Sequence, residues 1–219
     1  MIRKLKTGFE TSLKAYALAV IALTFSFDAA AQDPVQINPM LGSGYLRDIE
    51  FLDENHGFII GNDQAFMTID GGLDWTVVDF LGSGNKLESK GDFIGMITGS
   101  SMMLSTDGGD FWNVVLNVQG SLNDLHIDDN NTVYVLADDQ IYVSFDQGLN
   151  WIQVEPPQNF FGWYEIYFID SQIGFIVNYD GEIFRTEDGG TSWFMVYGDN
   201  WSSEFLQDIV FTTDQKGIA

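Results

Sequence analysis

Cysteine is absent from the 219 residues. That absence removes disulfides, thiol nucleophiles, thiolate-ligated zinc and a lipidated cysteine. The fold must therefore be held by its core alone. Basic residues are scarce as well: 9 Lys+Arg stand against 32 Asp+Glu, for a formal net charge of −23. Such a chain repels phosphate backbones and anionic lipid surfaces, which excludes a nucleic-acid partner and a polybasic membrane patch. Long apolar runs are missing except at the start. There Arg3, Lys4 and Lys6 precede the run from Ala15 to Phe27, and Ala29, Ala30 and Ala31 follow it. This is the pattern of a secretory signal peptide over 1-31, with cleavage near Ala31/Gln32. The run is too short to span a bilayer, and no later segment is longer, so no membrane insertion is expected after cleavage. The remainder, 32-219, is expected to be secreted, periplasmic or at the cell surface. It keeps only Arg47, Lys86, Lys90, Arg185 and Lys216 as basic residues. Disorder is excluded by an apolar content of 45% and an aromatic content of 15%.

What is present is a repeat. Four segments share Ser/Thr-x-Asp-x-Gly-x-x-Trp. They comprise Thr68, Asp70, Gly72 and Trp75; Ser105, Asp107, Gly109 and Trp112; Ser144, Asp146, Gly148 and Trp151; and Thr186, Asp188, Gly190 and Trp193. Successive box aspartates lie 37, 39 and 42 residues apart. Upstream, an acid leads an alternating run at Asp48, Asp124 and Glu165, and Lys86 holds the equivalent place in the second unit. Each unit reads as four short strands in about 40 residues, which is a propeller blade. The expected fold is all-β: a β-propeller of four-stranded antiparallel blades over 45-80, 85-117, 122-155 and 163-197. An incomplete fifth blade starts at 206, and a candidate closing strand lies at 34-39. The chain is expected to be a piece of a larger ring of about seven blades. The box has a mechanical explanation. Asp caps a tight turn, Gly supplies positive φ, and the four Trp residues are expected to be equally buried between blades. A folding role for these sixteen positions is favoured over catalysis.

The boxes carry a resemblance. The segment from Gly181 to Trp193 is similar to the Asp-box, or bacterial neuraminidase repeat, of β-propellers. It is nearest in pattern to those of the photosystem II stability and assembly factor type. Sortilin-type propellers and some glycoside hydrolases resemble it too. The resemblance implies a non-catalytic assembly or interaction scaffold that binds a protein partner. Photosynthetic members of that type resemble one another in a basic arginine patch, which this sequence lacks. A carbohydrate-binding or sialidase-like propeller is the alternative that the resemblance leaves open. Sialidases resemble one another in three arginines on the substrate carboxylate, and the chain past the leader has only Arg47 and Arg185.

No catalytic constellation stands out, and no cofactor is expected. His56 falls in a turn, and His126 is expected at an exposed alternate position of a first strand. Asp53, Asp128, Asp129 and Asp170 share a rim with the boxes and could hold calcium. No calcium-loop spacing appears among them, so solvated turns are favoured. Candidate partner-binding residues are the aromatics of two inter-blade loops on the opposite rim: Phe160, Phe161, Trp163, Tyr197 and Trp201. Packing of Phe161, Trp163 and Trp201 under their own loops is the equally weighted alternative.

Overall fold

The computed structural model describes residues 45-78, 83-138, 140-156, 162-198, 210-213 and 216-218. The expected leader and the strand at 34-39 lie outside them. Every described element is a strand. β1 (Leu46–Phe51), β2 (Gly57–Gly61), β3 (Ala65–Thr68) and β4 (Thr76–Val77) form one antiparallel meander. β5 (Lys86–Lys90), β6 (Phe93–Thr98), β7 (Ser101–Ser105) and β8 (Asn113–Asn117) form the second. β9 (Leu122–Ile127), β10 (Val133–Ala137), β11 (Ile141–Ser144) and β12 (Ile152–Val154) form the third. β13 (Trp163–Phe168), β14 (Gly174–Asn178), β15 (Ile183–Thr186) and β16 (Phe194–Tyr197) form the fourth. β17 (Val210–Thr213) pairs with β18 (Lys216–Ile218) in a two-stranded sheet.

Strand position within each sheet sets its composition. The second strands are buried on both faces and read as continuous apolar runs, such as Val133-Tyr134-Val135-Leu136-Ala137. The fourth strands are largely exposed, as β4 and β16 are along their whole length. β10 shows how period-2 alternation builds two cores at once. Val133 and Val135 join Ile97, Met102 and Leu104 of the second sheet. Tyr134 and Leu136 join Ile166, Phe168 and Ile176 of the fourth. A third layer unites Phe58 and Ile60 of the first sheet with Leu87, Ile94 and Met96 of the second. Each of these three layers lies between consecutive sheets, and the second and third sheets each feed the layers on both their sides. Tyr134 stacks on Phe168 with ring centroids 3.6 Å apart and planes 16° apart. The first strands of the sheets lie side by side in chain order, β1 against β5, β5 against β9 and β9 against β13.

Candidate functional site

The box turn is built from three short bonds. The buried hydroxyl of Thr186 accepts from Gly190 N at 3.0 Å and donates to Asp188 Oδ1 at 2.8 Å. That carboxylate accepts in turn from Ser192 N at 2.8 Å. Thr68, Ser105 and Ser144 repeat the arrangement with Gly72, Gly109 and Gly148. These bonds hold the four carboxyls below the usual range. The Asp74 and Phe111 N–H groups act most on Asp70 and Asp107, and the Asn150 and Ser192 side chains act most on Asp146 and Asp188. Thr186→Val keeps the side-chain volume but leaves the Gly190 N–H without its acceptor. We expect a loss of about 1–3 kcal/mol, seen as a lower denaturant midpoint at unchanged m-value. An unchanged midpoint would contradict this account of the turn.

The box tryptophans are not equivalent, contrary to the sequence expectation. Trp75 is 4% exposed, whereas Trp112, Trp151 and Trp193 are only half-buried. Trp75, Trp112 and Trp193 donate their indole N–H to the carbonyl of the second box glycine, at 2.9–3.1 Å. Trp151 reaches instead to Val115 O of the preceding sheet at 2.9 Å.

The inner strands carry the chemistry. Asp48 Oδ2 accepts from Leu87 N of the next sheet at 2.7 Å, and Asp124 Oδ2 accepts from Ile166 N at 2.9 Å. The acid that leads a first strand therefore clamps the backbone of the following sheet. Lys86 takes that place in the second sheet, and its ammonium lies 3.5 Å from Asp124 Oδ1. Asp124 is 4% exposed, and burial pushes its carboxyl up to about 6 against the pull of Lys86 and the Ile166 N–H. Burial opposes the charge of Lys86, but Asp124, Asp48, Glu165 and Glu88 outweigh it and raise the ammonium above its ordinary value. One pleat further along, Glu50 accepts from Ser89 Oγ, and desolvation raises its carboxyl.

The expectation for His126 is corrected here. The residue is 8% exposed, not a surface histidine. Its Nδ1 lies 3.0 Å from Glu88 Oε1, and its ring lies 5.2 Å from that of Tyr167. The alternation of β9 turns His126 away from Leu125 and Ile127, which enter the layer shared with the second sheet, and toward the Tyr134 and Phe168 rings at 6.3 and 6.0 Å. That side faces neighbouring inner strands and not solvent.

The cleft lined by the inner strands opens at two ends. On the side opposite the boxes lies a cavity of about 590 Å³, bordered by Arg47, Lys86, Asp124, Asp138, Tyr164 and Tyr179. The rings of Tyr164 and Tyr179 meet edge to face at 5.3 Å. On the box side lies a cavity of about 450 Å³ between the loops after β9 and β13. Of the loop aromatics expected to bind a partner, Phe160, Phe161 and Trp201 lie outside the described residues. Trp163 is described only as backbone, at the start of β13, and Tyr197 is 54% exposed at the end of β16. Tyr164 and Tyr179, which line the nearby cavity, were not singled out by the sequence. The alternation of β13 beside Trp163 was the available signal for Tyr164. The rim aspartates close their own loops: Asp53 Oδ1 accepts from Asn55 N and His56 N, Asp170 Oδ1 from Gln172 N and Ile173 N. Among the described residues no group of three or more His, Asp or Glu side chains is placed to hold a metal ion.

No family model matches the chain, and no curated protein matches it. Solved structures do. The WD40 β-propeller domain of Doa1 is similar at 13% identity and a TM-score of 0.61, over 80% of this chain and 61% of that one. An ancestral GH74 enzyme is similar at 16% identity and a TM-score of 0.57, over 76% of this chain and 26% of that one. YCF48, in a structure with a D1 peptide bound, is similar at 14% identity and a TM-score of 0.47, over 84% of this chain and 89% of that one. What the Doa1 domain and the GH74 enzyme share with the chain is architecture, and at such identities nothing else carries over. Four meander sheets with an apolar layer between consecutive members, and β-propellers as structural neighbours, make this chain an all-β protein built of propeller blades.

Proposed function

We propose that the chain is an exported, non-catalytic propeller of the Asp-box type that serves as a binding scaffold for a protein partner. The observation that carries this reading is the commitment of the inner-strand carboxylates. Asp48 and Asp124 hold backbone N–H groups of the next sheet, Glu50 holds Ser89, and Glu88 faces His126. Glycoside hydrolysis needs two carboxyls free to face one bond, one to donate a proton and one to attack or activate water. Carboxyls fixed in sheet-joining bonds serve assembly instead. The cavity opposite the boxes supplies the docking place, with the Tyr164 and Tyr179 rings beside Arg47 and Asp138. Aromatic rings flanked by charge suit a protein interface.

The test uses the full chain on a peptide array and a glycan array in parallel, with hydrolysis of aryl glycosides as a third arm. Saturable peptide binding, weakened at least about tenfold in Tyr164→Ala and Tyr179→Ala, is the expected result. Saturable glycan binding lost in those variants would replace the protein partner with a carbohydrate. Turnover of an aryl glycoside would overturn the non-catalytic reading.

A further inference from the structure

The cavity on the box side has a different chemistry from the one opposite. Glu88, Asp128, Asp129 and Asp170 line it, together with the His126, Tyr167 and Phe168 rings. Asp128 is the informative member. It is 3% exposed, and its Oδ1 already accepts from Asn130 N and Thr132 N, both at 2.8 Å. Its Oδ2 is buried without a hydrogen-bond partner. A carboxylate oxygen in that position calls for a donor. The protein already sends one cation to this mouth: Lys90 Nζ lies 3.0 Å from Asp129 Oδ1, reaching over from the preceding sheet.

We propose that this mouth is a receptor for a guanidinium group, presented as an arginine side chain of a protein partner. A metal ion fits poorly, because its ligands must converge within about 2.3–2.6 Å of one point. The carboxyls here are spread around the walls, and Asp170 spends Oδ1 on its own loop. A guanidinium is broad and planar, carries five donors and can lie over an aromatic face while its edge meets carboxylates. The half-buried Tyr167 ring offers such a face among these acids, whereas Phe168 is committed to the apolar layer on Tyr134. Free arginine carries an α-ammonium beside its α-carboxylate, so charge does not separate the two sources; the chain-borne source follows from the protein-partner reading, on which this inference rests. The Lys90 ammonium competes for Asp129 until a ligand displaces it.

The experiment titrates N-acetyl-L-argininamide and free L-arginine into the full isotope-labelled chain and follows backbone amide shifts. The blocked compound is expected to bind saturably and to move the amides of Asp128, Asp129 and Asp170. Asp170→Asn keeps an oxygen to cap the loop, and it should weaken binding about three- to tenfold. Lys90→Gln should tighten binding up to about fivefold, because a competing surface pair is gone. A purely structural role for the acids predicts no such gain. Asp63→Asn, a loss of the same charge in a distant turn, should leave the affinity unchanged. Several outcomes would overturn the proposal: no saturable shifts, shifts confined to Tyr164 and Tyr179 at the opposite mouth, tighter binding of free arginine, or weaker binding in Lys90→Gln. The scaffold reading stands or falls by the opposite mouth, so its failure is told apart from this one by which amides move.

Discussion

Gly109→Ala is expected to destabilise the protein by about 2–5 kcal/mol, as a left-handed backbone penalty adds to core overpacking. Gly109 has φ +93, and a Cβ there would lie 2.2 Å from Phe58 Cζ. Phe58 belongs to β2 of the preceding sheet and packs edge to face on Trp112, at 6.0 Å between centroids. The box turn of one sheet thus lies directly on the core of the sheet before it. Gly91→Ala is the matched control. It shares the left-handed conformation, φ +58, but a Cβ there meets nothing within 4 Å. It should lose only about 1–2 kcal/mol. Thermal or denaturant unfolding of both variants settles the comparison: equal losses would show that contact with Phe58 contributes nothing. The third box already shows what the turn tolerates. Gln147 stands where the other boxes have their first glycine, at φ +61. The second box glycine, at φ +85 to +93, is glycine in all four.

The second large effect is in pH. The Asp124 carboxyl is raised by burial from its ordinary 3.8 to about 6. Between those values the folded protein holds a proton that the unfolded chain has released. Stability from this group is therefore complete below 3.8 and is lost as the pH rises through about 6. The span corresponds to about 3 kcal/mol. The box aspartates act in the opposite sense. Their carboxyls are lowered, so their contribution is present above the ordinary value and disappears only in stronger acid. Denaturant midpoints of the protein and of Asp124→Asn, measured from pH 4.5 to 7.5, isolate the effect. Stability should climb on acidification toward pH 5, and the climb should be much smaller in Asp124→Asn. Parallel curves would assign the slope to other groups, the raised Glu50 carboxyl and the −23 net charge among them, and none to Asp124.

Much of the architecture is legible in the amino-acid order because a blade is a local object. Its four strands follow one another in about 40 residues, joined by short turns, so periodicity and turn chemistry report it directly. Asp70, Gly72 and Trp75 announce their turn because every bond they make there lies within a few residues. The candidate sites are another matter. Their partners are supplied one repeat away: Asp48 meets Leu87, Glu50 meets Ser89, and Asp124 meets Ile166, at separations of 39, 39 and 42 residues.

His126 marks the boundary between the two kinds of information. Alternation along β9 correctly places it on the face opposite Leu125 and Ile127, but alternation cannot say what lies on that face. In an isolated sheet that side is water. In this chain the inner strands of successive sheets are drawn together, and Glu88 and Tyr167 close over the ring. The same closure buries Asp124, lifts its carboxyl and leaves Asp128 with an oxygen unpartnered. The sequence by itself determined the repeat, the strands and the turn that ends each third strand, since these rest on short-range hydrogen bonds and on period-2 burial. Only the tertiary structure decided which carboxylates join sheets, which histidine is buried and where two cavities open, since these depend on how closely one sheet approaches the next.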